Sequence, residues 1–228
     1  MNQNATFGPV SGYLSGPSSP EHRPAIIVIQ EWWGLDALTR SIADRFAALG
    51  YSAFAPDLYH GELAQLGDSE TASALVEKYA AGAPDELASV YDHLLPHAVC
   101  DGRIGAIGFC FGGRMALGLG VRRPLSALCT FYGGRMQVLF DQLNKLRSPV
   151  LGLFGDQDRS IPAGTIAEFD SLLDHVGVDH EVVVYPGAGH AFFRDTDPST
   201  YRPEAARDAW ARTTSFFGKY MPAELITK

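Results

Sequence analysis

The stretch G-F-C-F-G-G at 108 to 113 holds a cysteine between glycines two positions away on either side, directly after the apolar run Ile104 to Phe109. Cys110 is either a small buried thiol, the common state of a free cysteine, or a nucleophile on a strained strand-to-helix turn. In the second case the glycines have a purpose, because a Cβ at either flanking position would collide with neighbouring backbone. G-x-C-x-G is the nucleophile-elbow pattern with cysteine in place of serine, and it requires an acid and then a histidine further along the chain. Both follow. After Val150 to Phe154 the chain reads G-D-Q-D-R-S-I-P, offering Asp156 and Asp158, and after His180 to Tyr185 it reads P-G-A-G-H-A-F-F-R, offering His190 on a glycine-rich loop. Together such groups perform acyl transfer: a thiolate attacks a carbonyl, an imidazole handles protons and a carboxylate fixes the imidazole tautomer. The elbow also supplies the backbone N–H of Phe111 as one oxyanion donor.

A further carboxylate, Glu31, comes immediately after the apolar run Ala25 to Gln30. An acid there is costly to bury unless paired, so it has a partner or a task, or else it caps a helix or sits solvated in a loop. Of the other histidines, His22, His93, His97, His175 and His180 fall in helices, at strand starts or before the first buried strand. His60 alone is near a strand end.

These side chains need elements to carry them. Ala25 to Gln30 lacks polar alternation, as a strand covered on both faces does. A helix is expected over Leu38 to Leu49, ended by Gly50. Then come a strand at Tyr51 to Pro56, helices at Glu70 to Ala80 and Asp85 to His97, and a strand at Arg103 to Phe109. A helix follows at Phe111 to Val121, with strands at Leu125 to Tyr132 and Val150 to Gly155. Helix Ala163 to Val176, strand His180 to Tyr185 and helix Pro203 to Tyr220 complete the series. Phe7 to Ser15 adds one or two edge strands. This alternation predicts one doubly wound α/β domain over residues 1–228, a mostly parallel sheet with helices on both faces. In such sheets ligands bind beyond the carboxyl ends of the strands, where Glu31, Cys110, both aspartates and His190 all fall.

Composition removes other classes. Eighteen basic against 26 acidic residues give a net charge of -8 without a Lys/Arg cluster, which argues against a nucleic-acid partner. Three cysteines without C-x-x-C spacing suit a reducing compartment better than a zinc site or a disulfide scaffold. Met1 to Ser19 lacks a basic and apolar leader pattern, and no run is long enough to span a membrane, so a cytoplasmic protein is expected. Cys129 reads as a core thiol and Cys100 as a loop residue before a strand.

The motifs Q-E-W-W-G-L (30–35), P-D-L-Y (56–59), G-F-C-F-G-G (108–113), F-Y-G (131–133), G-D-Q-D-R-S-I-P (155–162) and G-A-G-H-A-F (187–192) resemble the dienelactone hydrolase family of the α/β-hydrolase superfamily. The resemblance runs from about Gly12 to the last helix. It implies Cys110 as nucleophile, His190 as base, Asp158 rather than Asp156 as the acid, and Trp32 as the second oxyanion donor. It also implies that Glu31 contacts the resting cysteine and moves when substrate binds. The family's namesake substrate is an anionic enol-lactone held by two arginines and aromatic side chains. Arg194 stands where one arginine is found, but no arginine occurs between Arg45 and Arg103, where the other should be. Lys78 is the only base there and lacks the guanidinium fork, and Arg135 could contribute from another direction. Trp32, Trp33, Tyr59, Phe111, Tyr132 and Phe192 are candidate pocket walls, or ordinary core.

The expected function is therefore a cysteine-dependent hydrolase of a small lactone or enol ester, of the carboxymethylenebutenolidase type. The alternatives are a broad carboxylesterase or thioesterase on neutral acyl substrates, and a non-hydrolytic ligand-binding or redox-thiol protein. No metal or organic cofactor is called for, and the chain is expected as a monomer or small homo-oligomer.

Overall fold

The computed structural model describes residues 2–16 and 22–224, so part of the Met1 to Ser19 stretch lies outside the described residues. Phe7 to Ser15 contributes to two edge strands, β1 (Asn2–Phe7) and β2 (Val10–Ser15), paired antiparallel. The apolar runs form β3 (Arg23–Ile29), β4 (Ser52–Pro56), β5 (Cys100–Phe109), β6 (Ala127–Phe131), β7 (Val150–Gly155) and β8 (His180–Tyr185). All eight join one sheet in the order β1-β2-β4-β3-β5-β6-β7-β8, parallel from β4 through β8 and antiparallel where β2 meets β4.

Among the described residues six α-helices accompany this sheet: α1 (Ala37–Ala48), α2 (Ser69–Tyr79), α3 (Ala83–Leu94), α4 (Phe111–Gly120), α5 (Ala163–Val176) and α6 (Pro203–Tyr220). Helices α1 and α6 meet on one face through Phe46, Trp210 and Phe217, while α3 and α4 pack together against the other. The doubly wound, mostly parallel α/β sheet expected from the alternation is the fold observed.

Three local expectations need correction. Helix α3 ends at Leu94, not His97, because Pro96 has no N–H to continue the helical ladder beyond the Leu95 cap. Strand β6 ends at Phe131, since Tyr132 adopts φ 37°, outside any strand conformation. Cys100 is the buried first residue of β5, its carbonyl held by the His22 ring at 3.0 Å, and not a loop residue. The 3₁₀ segment Met136–Lys145 after β6 lies outside the expected elements, although Met136, Leu139, Phe140 and Leu143 recur at helical spacing.

The register aligns the strand ends. Ile29 lies beside Gly108, Phe109 beside Phe131, Phe131 beside Leu153 and Gly155 beside Tyr185, so each strand delivers the residues after it to one edge. The β5–α4 turn fits there only because it lacks side chains. A Cβ on Gly108 would lie 2.0 Å from the Gly112 carbonyl oxygen, and one on Gly112 would lie 2.4 Å from the carbonyl oxygens of both Gln30 and Ile29. Backbone on both sides cannot yield as a flexible side chain would. Gly112→Ala is therefore expected to destabilise the protein by roughly 2–3 kcal/mol, read as a lowered midpoint in urea unfolding at unchanged slope.

Candidate active site

Cys110 caps the N-terminus of α4 with φ 54° and ψ −115° and stays half-buried, whereas Cys100 and Cys129 are buried. The non-glycine residues with positive φ are His60, Cys110, Tyr132, Arg135 and Ala191, and all follow the carboxyl ends of β4, β5, β6 or β8. Backbone strain of this kind gathers where a site must hold side chains in set directions.

Asp158 turns inward after β7 and is 5% exposed. Its Oδ2 accepts from His190 Nδ1 at 2.7 Å, and its Oδ1 accepts from the Ser160 amide at 2.8 Å and the Ser160 hydroxyl at 2.6 Å. Burial pushes the carboxyl up, but the bonds from His190 and Ser160 and the imidazole charge outweigh it, leaving Asp158 below the usual carboxylate range. Asp156 instead faces the Gly187 amide at 2.7 Å and has no contact with His190, which separates the two aspartates that the sequence left open. His190 and the Cys110 sulfur also lie within electrostatic reach of each other. Because Nδ1 is engaged by Asp158, Nε2 is the ring nitrogen left for sulfur. Burial disfavours the imidazolium, yet the bonds and charges of Asp158 and Cys110 raise His190 from 6.5 to about 10. The structure thus brings Cys110, His190 and Asp158 together.

The amides of Phe111 and Trp32 find no acceptor among the described residues, so both remain available to an oxyanion. Trp32 is half-buried with its ring against Trp33 at 5.0 Å.

Glu31 is 4% exposed and has partners that the sequence did not reveal. Its Oε1 accepts from the Tyr132 hydroxyl at 3.1 Å and its Oε2 from Arg194 Nε at 2.7 Å. No bond to the Cys110 sulfur is made among the described residues, so in this structure Glu31 does not contact the cysteine as the resemblance implied. Arg194 is itself 4% exposed. Beyond Glu31 it donates through Nη1 to Thr196 Oγ1 at 3.0 Å and through Nη2 to Asp36, which also caps α1 by accepting from the Thr39 amide. One buried and one half-buried carboxylate engage this guanidinium, which does not present an open anion clamp. Phe192 is fully buried against Phe131, Tyr132 and Tyr185 and belongs to the core, not to a pocket wall. Tyr132 is equally buried and serves Glu31. Tyr59 is fully buried with its ring 6.0 Å from Phe111. His60 binds Glu86 at 3.0 Å, away from Cys110's partners.

Residues 10–221 match the model of the dienelactone hydrolase family. The chain belongs to that family. Among relatives of this hydrolase, a Methylorubrum extorquens protein named "Putative carboxymethylenebutenolidase" is 34% identical over 93% of this chain and 78% of its own. An Escherichia coli protein of the same name is 32% identical over 92% of this chain and 88% of its own. A crystal structure of a "Putative Dienelactone Hydrolase" from Klebsiella pneumoniae superposes with a TM-score of 0.84 at 28% identity, covering 96% of this chain and 99% of that one. The sheet and helices are thus those of the α/β-hydrolase fold that dienelactone hydrolases share. Among the described residues, no helix of this family member is long and apolar enough to cross a membrane, and no group of three or more His, Cys, Asp or Glu side chains is placed to hold a metal ion.

Proposed function

We propose that this dienelactone hydrolase cleaves a small lactone or enol ester by a Cys110–His190–Asp158 triad through an acyl-enzyme, the whole chain acting as one domain. The observation that carries the reading is His190 held between a buried carboxylate at 2.7 Å and the half-buried thiol on the elbow. With its proton held to about pH 10, His190 is an imidazolium at neutral pH and can protonate an oxygen departing beside Cys110. The sulfur attacks the carbonyl carbon, and the carbonyl oxygen takes up charge between the amides of Phe111 and Trp32. Removing one such donor in other enzymes costs roughly a hundredfold to a thousandfold in rate. The tetrahedral adduct collapses as His190 protonates the departing oxygen, leaving a thioester on Cys110. His190, now neutral, takes a proton from water as the water attacks the thioester. Collapse returns the thiolate, with the proton on His190, and frees the acid.

The test is chemical quench of the protein with an activated ester, followed by peptide mass analysis. The expected result is the acyl mass on the Cys110 peptide; turnover with no acyl-enzyme, or with the label elsewhere, overturns the mechanism.

Engagement of Arg194 by Glu31 and Asp36 favours a second reading, a carboxylesterase or thioesterase acting on neutral acyl groups. A panel of lactones and esters with and without a carboxylate separates the two.

The imidazole also sets a pH dependence. Because His190 is raised, its contribution to folding is complete below about 6.5 and is lost as pH rises toward 10. For an alkyl ester, whose leaving group needs a proton, kcat/KM is expected to fall on the alkaline side near pH 10, as His190 loses the proton it would donate. Asp158→Asn removes a bond and a charge that hold the proton, so a pH–rate profile of that variant should show the limb at lower pH.

A further inference from the structure

Asp158 and His190 share a third partner. Among the described residues the Asp158 carboxylate accepts from His190 and Ser160 alone: the Ser160 amide and hydroxyl both reach Oδ1, at 2.8 and 2.6 Å, and Oδ2 is left to the ring at 2.7 Å. The same Ser160 Oγ lies 3.2 Å from His190 Nδ1. An ionised carboxylate only accepts, so the one hydroxyl proton points at Asp158 Oδ1 and an Oγ lone pair is turned to Nδ1. Nδ1 thus faces two acceptors, Oδ2 and Oγ, and carries a proton. Asp158, Ser160 and His190 close a ring of hydrogen bonds on the Nδ1 side of the imidazole.

Local sequence sets this arrangement. In D-R-S-I-P the chain turns after β7, the Ile161 amide donating to the Asp158 carbonyl at 3.3 Å, and Ser160 folds back over the carboxylate. Ile161 is buried and Pro162 leads into α5, which anchors the turn, while Ser160 is the exposed member of the three. Such a ring matters at one stage above others. An imidazolium carries protons on both nitrogens and has no tautomer to choose. Once the acyl group is on Cys110, His190 is neutral, and it takes a proton from water only if its remaining proton stays on Nδ1 and Nε2 offers the lone pair.

Resting on the hydrolase reading above, we propose that Ser160 is a positioning residue for the second half-reaction, its hydroxyl holding neutral His190 as the Nδ1–H tautomer with Nε2 aimed at the attacking water. In that step the water oxygen bonds to the thioester carbon and its proton passes to Nε2. The C–S bond then breaks with its electron pair leaving on sulfur. Ser160 exchanges no proton; it keeps the one on Nδ1 in place. The first half-reaction depends on it less, because His190 enters that step with both nitrogens protonated.

The test separates the two half-reactions with p-nitrophenyl acetate in wild type, Ser160→Ala, Ser160→Val and Ser160→Thr. The burst of nitrophenolate reports acylation, and decay of the Cys110 acyl-enzyme under rapid quench reports deacylation. Deacylation is expected to slow by about tenfold in Ser160→Ala and Ser160→Val, with acylation within about threefold of wild type and the acyl-enzyme accumulating. Ser160→Thr returns the hydroxyl in the shape of valine, so it should deacylate within about threefold of wild type, and its comparison with Ser160→Val isolates the hydroxyl from packing. Ser160 is exposed, so all three variants should unfold near the wild-type temperature. Equal slowing of both half-reactions, a threonine variant as slow as the valine one, or deacylation within about twofold of wild type in Ser160→Ala and Ser160→Val each overturns this role for Ser160 while leaving the triad intact. A wild type that forms no acyl-enzyme on Cys110 overturns the hydrolase mechanism beneath it.

Discussion

Cys110→Ala is expected to lower kcat/KM toward an activated ester by about 10⁴-fold or more, with no acyl-enzyme detectable. His190→Ala should lose nearly as much. The double variant should lose scarcely more than either single one, because sulfur and imidazole act as one unit: without the ring the thiol is a poorer nucleophile, and without sulfur the ring has nothing to ionise. What survives reports the two amides and substrate binding. Additive losses in the double variant would mean that Cys110 and His190 work in separate steps. The folded state of Cys110→Ala should stay close to wild type, because the side chain is half-buried and helix α4 makes no side-chain capping bond through it. Far-UV circular dichroism and thermal unfolding check that point.

Arg194→Ala is expected to cost about 3–5 kcal/mol of stability, because it leaves Glu31 and Asp36 facing each other without their cation. At roughly 2–4 °C per kcal/mol for a chain of this size, the melting temperature should fall by about 6–20 °C. The double variant Arg194→Met with Glu31→Gln should recover part of this, since it removes an unpaired buried charge along with its partner. A near-native melting temperature for Arg194→Ala would show that the ion pairs contribute little net stability. Differential scanning calorimetry tells these outcomes apart.

Sequence pattern reached some parts of this protein far better than others. Strands β7 and β8 and helices α5 and α6 stand at their expected limits because each is a continuous periodic run bounded by glycine or proline. The elbow was equally legible, since G-x-C-x-G encodes a backbone conformation that tolerates few alternatives. Partnerships across the sheet were not. That Arg194 reaches back to Glu31 and Asp36 depends on the loop after β8 folding over the β3–α1 connection, 163 and 158 positions away in the chain, and no local pattern records it. Tyr132 and Phe192 read as pocket walls because aromatic residues at strand ends serve core and site alike, and burial decides between them.

The strained rim also divides the mouth of the site for anyone who would redirect its specificity. His60, Cys110, Tyr132, Arg135 and Ala191 hold left-handed backbone, so changing them alters main-chain preference together with surface chemistry. The loop after β4, by contrast, packs on the Trp32–Gly34 turn through the bond from the Ala64 amide to the Trp33 carbonyl, while its Leu63 and Leu66 side chains are exposed without such backbone constraint. Val138, on the 3₁₀ segment that begins beside Arg135, has the same freedom. Leu63, Leu66 and Val138 can therefore be exchanged without altering main-chain preference, a freedom that the positive-φ residues do not have.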